Sequence, residues 1–322
     1  MFISVLFFAL GLVLLIKGGD WFVDGATGIA RRFRLPDIIV GATVVSIGTT
    51  LPEVMVSTTG ALLGQGAMAY GNAIGSIICN TALIAAISVT CKPGPVNVKT
   101  MKMPVFFFFT SAAVYCLAAY WLGTFPRWLG IIMLAIFVVY LIANVRQGLG
   151  YPEETAEEAE SAKASRSLAM ELVLLVIGAA LIAYGANLLV EHGTIIAQKL
   201  GVPETVIALT FVALGTSLPE LITTITSLKK GHASLGIGNV IGANVFNLVL
   251  VSGASMTLAP FRIPQSSTLF GVNSSLVLDV PLMLFVMAFL TLPALKTKKL
   301  SRYQGIVLLI LYAAFCGIQF TM

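Results

Sequence analysis

Long apolar segments separated by polar connections run through the whole chain. Only 10% of the 322 residues are charged, against roughly a quarter in a soluble domain, and the mean hydropathy is +0.97. Segments long enough to cross about 30 Å of hydrocarbon as helices are predicted at 2–24, 37–63, 69–90, 103–122, 127–145, 168–191, 204–228, 235–257, 274–294 and 302–320. The pattern predicts an all-α membrane protein with ten transmembrane helices.

Lysine and arginine are concentrated in alternate connections. All but three of the 19 basic residues lie in or beside the odd-numbered connections, and the exceptions are Arg127, Lys199 and Arg262. Basic residues favour the cytoplasmic side of a membrane, so the odd connections are predicted to be cytoplasmic and both termini extracytoplasmic. The net charge of +5 therefore reflects the topology of a multi-pass protein of the plasma membrane, and it gives no case for a nucleic-acid partner.

The two halves of the chain repeat each other at a constant offset of 167 residues. GTTLPE at 48–53 matches GTSLPE at 215–220, and GNAIGSIICN at 71–80 matches GNVIGANVFN at 238–247. Each half contains five predicted helices, an odd number, so the second half enters the membrane in the opposite sense. The chain is thus predicted to be two inverted five-helix repeats, an arrangement that many secondary transporters share.

A polar segment separates the repeats, which are predicted at 1–145 and 167–322. This segment, residues 146–166, is rich in glutamate. We interpret it as an acidic, solvated cytoplasmic linker. A regulatory cation site is the alternative interpretation.

Each repeat carries one glutamate in the middle of an apolar segment. Glu53 is the only Asp, Glu, Lys or Arg in 38–91, and Glu220 is the only one in 205–228. A charge at this depth costs at least about 2.5 kcal/mol, and no basic residue of these two helices can neutralise it. A mobile cation is therefore the predicted partner of both carboxylates. The alternative is a glutamate that serves only packing.

Residues beside the two glutamates supply neutral oxygen atoms. Pro52 and Pro219 each remove a helical hydrogen bond, so both helices are predicted to break near Gly48 and Gly215 and to free carbonyl oxygens. The predicted ligands are the hydroxyls of Thr49, Thr50, Thr216 and Ser217 and the carbonyls of Ser46 and Ala213. Ligand sets made only of oxygen select hard cations such as Ca²⁺ and Na⁺ over Zn²⁺ or Cu²⁺.

The third and eighth predicted helices share a second motif, GNxIGxxxxN. Ser76 and Asn80 are four residues apart and lie on the same helical face, and Ala243 and Asn247 occupy the equivalent positions. The glycines of the motif are spaced to let helices approach closely. These two helices are predicted to supply the remaining wall of the site.

Together these motifs resemble a known family. GATVVSIGTTLPE with GNAIGSIICN, and ALTFVALGTSLPE with GNVIGANVFN, are similar to the α-1 and α-2 repeats of the sodium/calcium exchanger family, within the wider cation/Ca²⁺ exchanger superfamily. The resemblance is to the prokaryotic type with two such repeats. It covers essentially the whole chain and is most specific at 41–80 and 208–247.

The resemblance implies a diamond of ion sites at the membrane midplane. It implies that Glu53 and Glu220 are central to Ca²⁺ binding. The other positions that it assigns are Thr49 and Thr216 with the carbonyls of Ser46 and Ala213 for Ca²⁺ and the flanking Na⁺ sites, Ser76 for Na⁺, and Asn80 and Asn247 for the central site. It further implies that the first and sixth helices slide across the rest to alternate access.

The implied activity is antiport of Na⁺ against Ca²⁺, with no cofactor beyond the transported ions, the lipid bilayer as surroundings and no protein partner. Asn247 stands where some family members, including potassium-dependent exchangers, carry aspartate, so transport is predicted not to require K⁺. Ala243 stands where many family members carry serine, which removes a hydroxyl from one outer Na⁺ site.

Three alternatives to this activity follow from the same residues. A proton/calcium or other cation exchanger would use the glutamates as proton acceptors, although its branch typically has GN before the glutamate. A passive cation channel would not need an inverted repeat with broken helices. An intramembrane enzyme would need a nucleophile or metal ligands, and the sequence contains no duplicated histidine motif.

Overall fold

The chain is helical over nearly all of the residues that the computed structural model describes, which are 2–150, 167–200, 215–265, 268–269 and 271–321. The helices are α1 (Phe2–Phe33), α2 (Asp37–Leu62), α3 (Gly66–Cys91), α4 (Val98–Leu122), α5 (Arg127–Gly150), α6 (Leu168–Lys199), α7 (Leu218–Lys229), α8 (Ala233–Leu258), α9 (Ser275–Thr297) and α10 (Arg302–Thr321). Within the described residues nine of them, all except α7, are long and apolar enough to span a membrane. The seventh predicted span is described only from residue 215, and most of the predicted linker lies outside the described residues.

Helices α1 and α6 pack against each other through glycines. A Cβ atom at Gly11 would lie 2.8 Å from the carbonyl oxygen of Gly185, and one at Gly18 would lie 2.9 Å from that of Gly178. The two backbones therefore touch at both places, which a larger residue would prevent. The earlier glycine of α1 meets the later glycine of α6, so the helices are antiparallel. Equivalent helices of the two repeats thus run in opposite directions, as predicted for inverted repeats.

The apolar core is divided into two clusters. The smaller cluster contains Leu15 and Phe22 of α1 and Ile182 of α6, and it rests on the first turns of α2. The larger cluster joins α2–α5 with α8–α10, and its bulky members include Tyr140 and Phe246. The α1/α6 pair is therefore a packing unit of its own beside the remaining bundle.

Short strands join connections that the charge pattern places on the same side. The antiparallel pairs are β1 (Gly94–Pro95) with β6 (Lys299–Leu300), β2 (Thr124–Phe125) with β3 (Phe261–Arg262), and β4 (Thr268–Leu269) with β5 (Val272–Asn273). The first pair joins the third and ninth connections, and the second joins the fourth and eighth. Odd connections thus meet odd ones and even connections meet even ones, as alternating membrane crossings require.

Ion pairs tie α1 to its neighbours at the end where the odd connections lie. Lys230 Nζ, after α7, is 2.6 Å from Asp24 Oδ1 of α1. Arg32 Nε, at the end of α1, is 3.0 Å from Glu171 Oε2 of α6. The first pair joins α1 to the larger bundle, and the second joins it to its own partner helix.

Wide π-helical turns interrupt three helices beside the repeated motifs. They span Gly41–Val45 in α2, Asn80–Ala85 in α3 and Asn247–Val251 in α8. The last two begin at asparagines that are equivalent in the two repeats. π turns are frequent at functional sites, and these three lie beside the motifs that carry the predicted ligands. Two further π turns, Ala118–Leu122 in α4 and Ser275–Asp279 in α9, lie outside the motifs.

The predicted helix break is found in the second repeat and is wrong for the first. Thr216 and Ser217 form a turn before α7 begins at Leu218. In α2, by contrast, the α-helix continues from Ser46 to Leu62 with Pro52 inside it. A proline removes one backbone hydrogen bond, and the remaining bonds of α2 keep the helix continuous across that gap. The irregularity of α2 lies earlier, in the π turn at Gly41–Val45.

Candidate functional site

The two repeat glutamates meet inside the bundle. Glu53 of α2 and Glu220 in the first turn of α7 have no exposed surface. None of their carboxylate oxygens has a hydrogen-bond partner among the described residues, although the hydroxyls of Thr49 and Thr50 lie beside the Glu220 carboxylate. The charge of Glu220 acts on Glu53. Burying a charge without a partner is strongly unfavourable. The arrangement therefore suits a cation held between the two helices.

Four neutral side chains beside them are also buried and unpartnered. Asn80 and Asn247 are fully buried, and neither amide has a hydrogen-bond partner in the part of the chain that the structure describes. The same holds for the hydroxyls of Thr50 and Ser217. Buried polar groups without partners are rare in native proteins. These four form two pairs of repeat-equivalent positions, so each half of the chain has a buried amide and a buried hydroxyl without a partner among the described residues.

Comparison with known proteins agrees with this geometry. The sequence profile described as sodium/calcium exchanger protein matches residues 3–146 and 170–321, one segment in each half. The chain belongs to the sodium/calcium exchanger family. The family resemblance read from the two motifs is therefore confirmed, and the family is one of transporters.

Individual exchangers and related proteins match the chain over almost its whole length. It is 34% identical to an uncharacterized membrane protein of Methanocaldococcus jannaschii over 96% of each chain. It is 28% identical to the sodium/calcium exchanger MaX1 of Methanosarcina acetivorans over 99% of each chain. A solved structure of the sodium-calcium exchanger NCX_Mj, soaked with 2.5 mM Na⁺ and 10 mM Sr²⁺, is 31% identical, with a TM-score of 0.80 and 97% of both chains covered.

In the present chain, the two predicted threonines are hydrogen-bonded to asparagines of the opposite repeat. Thr49 Oγ1 donates to Asn239 Oδ1 at 3.1 Å, and Thr216 Oγ1 donates to Asn72 Oδ1 at 3.2 Å. Thr49 also lies beside the carboxylate of Glu220. Both threonines thus stand at the boundary between the repeats, and each hydroxyl lies within hydrogen-bond distance of an asparagine oxygen of the opposite repeat.

The remaining predicted ligands differ in what the structure shows. The hydroxyl of Ser46 lies 2.8 Å from the carbonyl oxygen of Gly41 and 2.9 Å from that of Asn239, so it is used within the protein. The predicted ligand is the carbonyl of Ser46, which lies at the start of the continuous α-helix Ser46–Leu62. Ser76 is buried one turn before Asn80. Ala213 lies outside the described residues.

Asn72 and Asn239 contact the predicted threonines but are not among the ligands predicted from the sequence. Asn239 is fully buried, and Asn72 also donates through Nδ2 to Ser57 Oγ at 2.7 Å and to the carbonyl oxygen of Glu53 at 3.2 Å. Both asparagines follow the first glycine of the duplicated GNxIGxxxxN motif, so a sequence signal exists. The motif does not reveal their threonine partners, because each threonine lies on the other repeat.

Proposed function

We propose that this protein is an antiporter that exchanges Na⁺ for Ca²⁺ across the plasma membrane by alternating access. The observation that carries the proposal is the pair of fully buried, unpartnered carboxylates of Glu53 and Glu220, one from each repeat. The similar exchanger NCX_Mj was soaked with Na⁺ and Sr²⁺, a divalent cation chemically close to Ca²⁺, and MaX1 is named as a sodium/calcium exchanger. Both comparisons support these two ions as substrates.

The fixed charge of the site explains why the two ions exclude each other. Ionised Glu53 and Glu220 give a charge of about −2, which one Ca²⁺ or a pair of Na⁺ balances. Both kinds of ion together would leave excess positive charge in a region of low dielectric, and an empty site would leave two bare carboxylates. Either state opposes the conformational change. Movement of the carrier is therefore coupled to binding of one kind of ion or the other.

The ligands divide into a central set and a flanking set. Ca²⁺ takes about six to eight oxygen ligands in a flexible geometry. The central set consists of Glu53, Glu220, Thr50, Ser217, Asn80 and Asn247, whose carboxylate, hydroxyl and amide oxygens meet that need. The flanking set consists of Thr49, Thr216 and the carbonyls of Ser46 and Ala213, which serve Ca²⁺ as well as the outer Na⁺ sites, and of Ser76, which serves Na⁺.

The α1/α6 pair is the element that slides to change access. Its separate apolar cluster and its glycine contacts allow the two helices to move as one body. A Cβ atom at Gly48 would lie 2.9 Å from the ring of Phe22, so α1 packs directly on the α2 turn that carries Thr49. Sliding of α1 would change what covers this turn and thereby the path to the site.

The odd connections face the cytoplasm in this proposal, and both termini face outside. Cys91, at the end of α3, is exposed at the third connection, whereas Cys79, Cys116 and Cys316 are buried or half-buried. A membrane-impermeant maleimide should label Cys91 in inverted vesicles and not in intact cells. The Cys91→Ser variant is the control and should lose the label. Labelling of Cys91 in intact cells would reverse the topology.

The exchange itself is tested with purified protein in proteoliposomes. Uptake of radioactive Ca²⁺ should follow an outward Na⁺ gradient and collapse when a Na⁺ ionophore removes that gradient. Vesicles with a K⁺ gradient or a proton gradient alone are the controls. Ca²⁺ uptake driven by the proton gradient would make the protein a proton/calcium exchanger, and Ca²⁺ entry without any counter-ion would make it a channel.

A further inference from the structure

Two asparagines outside the predicted ligand set make the same contact twice, in opposite directions across the repeat interface. Thr216 of the second repeat donates to Asn72 of the first, and Thr49 of the first repeat donates to Asn239 of the second. The oxygen–oxygen distances, 3.2 Å and 3.1 Å, are nearly equal. A contact that recurs at equivalent positions belongs to the design of the site and is no accident of packing in one half.

The orientation of the Asn72 amide is fixed by a backbone carbonyl. Its Nδ2 lies 3.2 Å from the carbonyl oxygen of Glu53. A carbonyl oxygen can only accept a hydrogen bond, so the amide nitrogen must face it. The amide oxygen then faces Thr216, and the threonine hydroxyl must be the donor.

Asn239 is the equivalent residue of the second repeat and is fully buried. Its amide oxygen lies 3.1 Å from the hydroxyl of Thr49 and 3.3 Å from that of Ser46. Its Nδ2 has no partner among the residues that the structure describes, so no backbone carbonyl anchors this amide as Glu53 anchors Asn72. Both hydroxyls beside the amide oxygen belong to the first repeat.

Donation to an asparagine determines what a hydroxyl can offer to a cation. A hydroxyl has one proton and two acceptor lone pairs. When the proton is held by an amide oxygen, the lone pairs are free to face a cation, and the cation does not have to turn the proton away. A neutral amide suits this role, because a carboxylate in its place would add charge to a site in which charge balance selects the ion.

We propose that Asn72 and Asn239 are positioning residues, which orient the hydroxyls of Thr216 and Thr49 as ion ligands. The inference rests on the proposed function, because it takes the two threonines as ligands of transported Na⁺ and Ca²⁺. It makes a crossed prediction, since each asparagine acts on the opposite repeat. Asn72 acts through Thr216, and Asn239 acts through Thr49.

Double-mutant cycles test this crossed pattern. Asn72→Leu and Asn239→Leu keep the approximate volume and remove the acceptor, and Thr49→Val and Thr216→Val remove the hydroxyl. The measurement is the Na⁺ concentration for half-maximal Ca²⁺ exchange in proteoliposomes. Each single variant should raise this Na⁺ concentration roughly fivefold to tenfold, which corresponds to the free energy of about one hydrogen bond.

The matched pairs should differ from the mismatched pairs. When Thr49→Val is already present, Asn239→Leu should raise the half-maximal Na⁺ concentration by less than about a further twofold, because the effects of coupled residues are not additive. Asn72→Leu should behave likewise with Thr216→Val. The mismatched combinations, such as Asn239→Leu with Thr216→Val, should show the product of the single effects. If a matched double variant changes the half-maximal Na⁺ concentration by the product of its two single effects, the inference is overturned.

Asn244 provides a control on the same helix as Asn239. It is equally buried, and its Nδ2 donates to Thr81 Oγ1 at 2.7 Å, away from both threonines of the site. When Asn244→Leu is combined with Thr49→Val or with Thr216→Val, the change in half-maximal Na⁺ concentration should equal the product of the two single effects. Coupling of Asn244 to either threonine would show that loss of any buried amide has the same consequence, and the positioning role would fall.

The outcomes separate this inference from the proposed function. If the unaltered protein exchanges no Ca²⁺ for Na⁺, the proposed function fails before any cycle is measured. If it does exchange them and the matched pairs are additive, only the positioning role of Asn72 and Asn239 fails. Should the leucine variants not reach the membrane, Asn72→Ala and Asn239→Ala remove the same oxygen atoms with less volume, and the same crossed pattern is required of them.

Discussion

Each repeat contributes one buried glutamate to the proposed site, but the two repeats differ in the neutral side chains beside it. Glu53 and Glu220 are both fully buried and unpartnered. One turn before the repeat asparagines, however, the first repeat has Ser76 and the second has Ala243. The difference indicates that a carrier working from both sides of a membrane needs its charge centred between the halves, whereas its flanking ligands can be unequal. We therefore expect a symmetric response to changes of charge and an asymmetric response to changes of hydroxyl groups.

The largest effect should come from removing either charge. Glu53→Gln and Glu220→Gln keep the shape of the side chain and leave one carboxylate, too little to balance Ca²⁺. Exchange should fall by at least about a hundredfold in both, in keeping with the energy of a charge pair at low dielectric. The measurement is Na⁺-driven Ca²⁺ uptake. Near-normal uptake in one variant would break the symmetry of the two repeats.

Asp279 is a matched control for these two variants. It is a partly exposed carboxylate in the first turns of α9, and it accepts a hydrogen bond from Gln319 Nε2 at 3.1 Å. Its charge lies outside the proposed site, so Asp279→Asn should retain exchange. Loss of exchange in this variant as well would mean that any acid removed from the membrane region disables the protein.

A charge added to one repeat should have the next largest effect. Asn247→Asp places a third carboxylate beside the central cation, and attraction at this distance contributes several kcal/mol even at an intermediate dielectric. The Ca²⁺ concentration for half-maximal uptake should fall by at least about tenfold, with slower release. Asn80→Asp, the same change in the other repeat, should act in the same direction. Opposite effects would show that the centre of the site is itself asymmetric.

The hydroxyl difference should produce a smaller and one-sided effect. Ser76→Ala removes a neutral ligand and should raise the Na⁺ concentration for half-maximal exchange by roughly fivefold. Ala243→Ser supplies the missing hydroxyl and should lower it. The comparison is made on the same Na⁺ titration. If neither change moves the titration, both positions serve packing alone.

Replacement of K⁺ should have no effect. Only Glu53 and Glu220 are charged in the proposed site, so Ca²⁺ already balances it and a bound K⁺ would add uncompensated charge. Ca²⁺ uptake driven by Na⁺ should be the same with choline in place of K⁺ on both sides of the vesicle. Uptake that disappears without K⁺ would contradict the assignment of neutral Asn80 and Asn247 to the centre.

Most of the fold could be predicted from the sequence, because membrane insertion depends on properties that add along the chain. The ten apolar segments and the alternation of basic residues gave the spans, and the 167-residue offset gave the inversion. The predicted break at Pro52 is wrong, because the loss of one backbone hydrogen bond does not end a helix whose other bonds remain. The wide turn of α2 lies instead at Gly41–Val45, where its backbone is in close contact with α8.

The sequence by itself determined that two costly carboxylates stand in equivalent apolar helices, and from them it predicts a cation site between the two repeats. Only the tertiary structure decided how the neutral groups are shared. Thr49 and Asn239 are 190 residues apart in the chain, and they form a hydrogen bond because α2 and α8 lie side by side. The cost of burying a charge belongs to one residue and can be read at its position. The direction of a hydroxyl proton depends on which acceptor lies within hydrogen-bond distance, and that is settled only when helices from both repeats pack together.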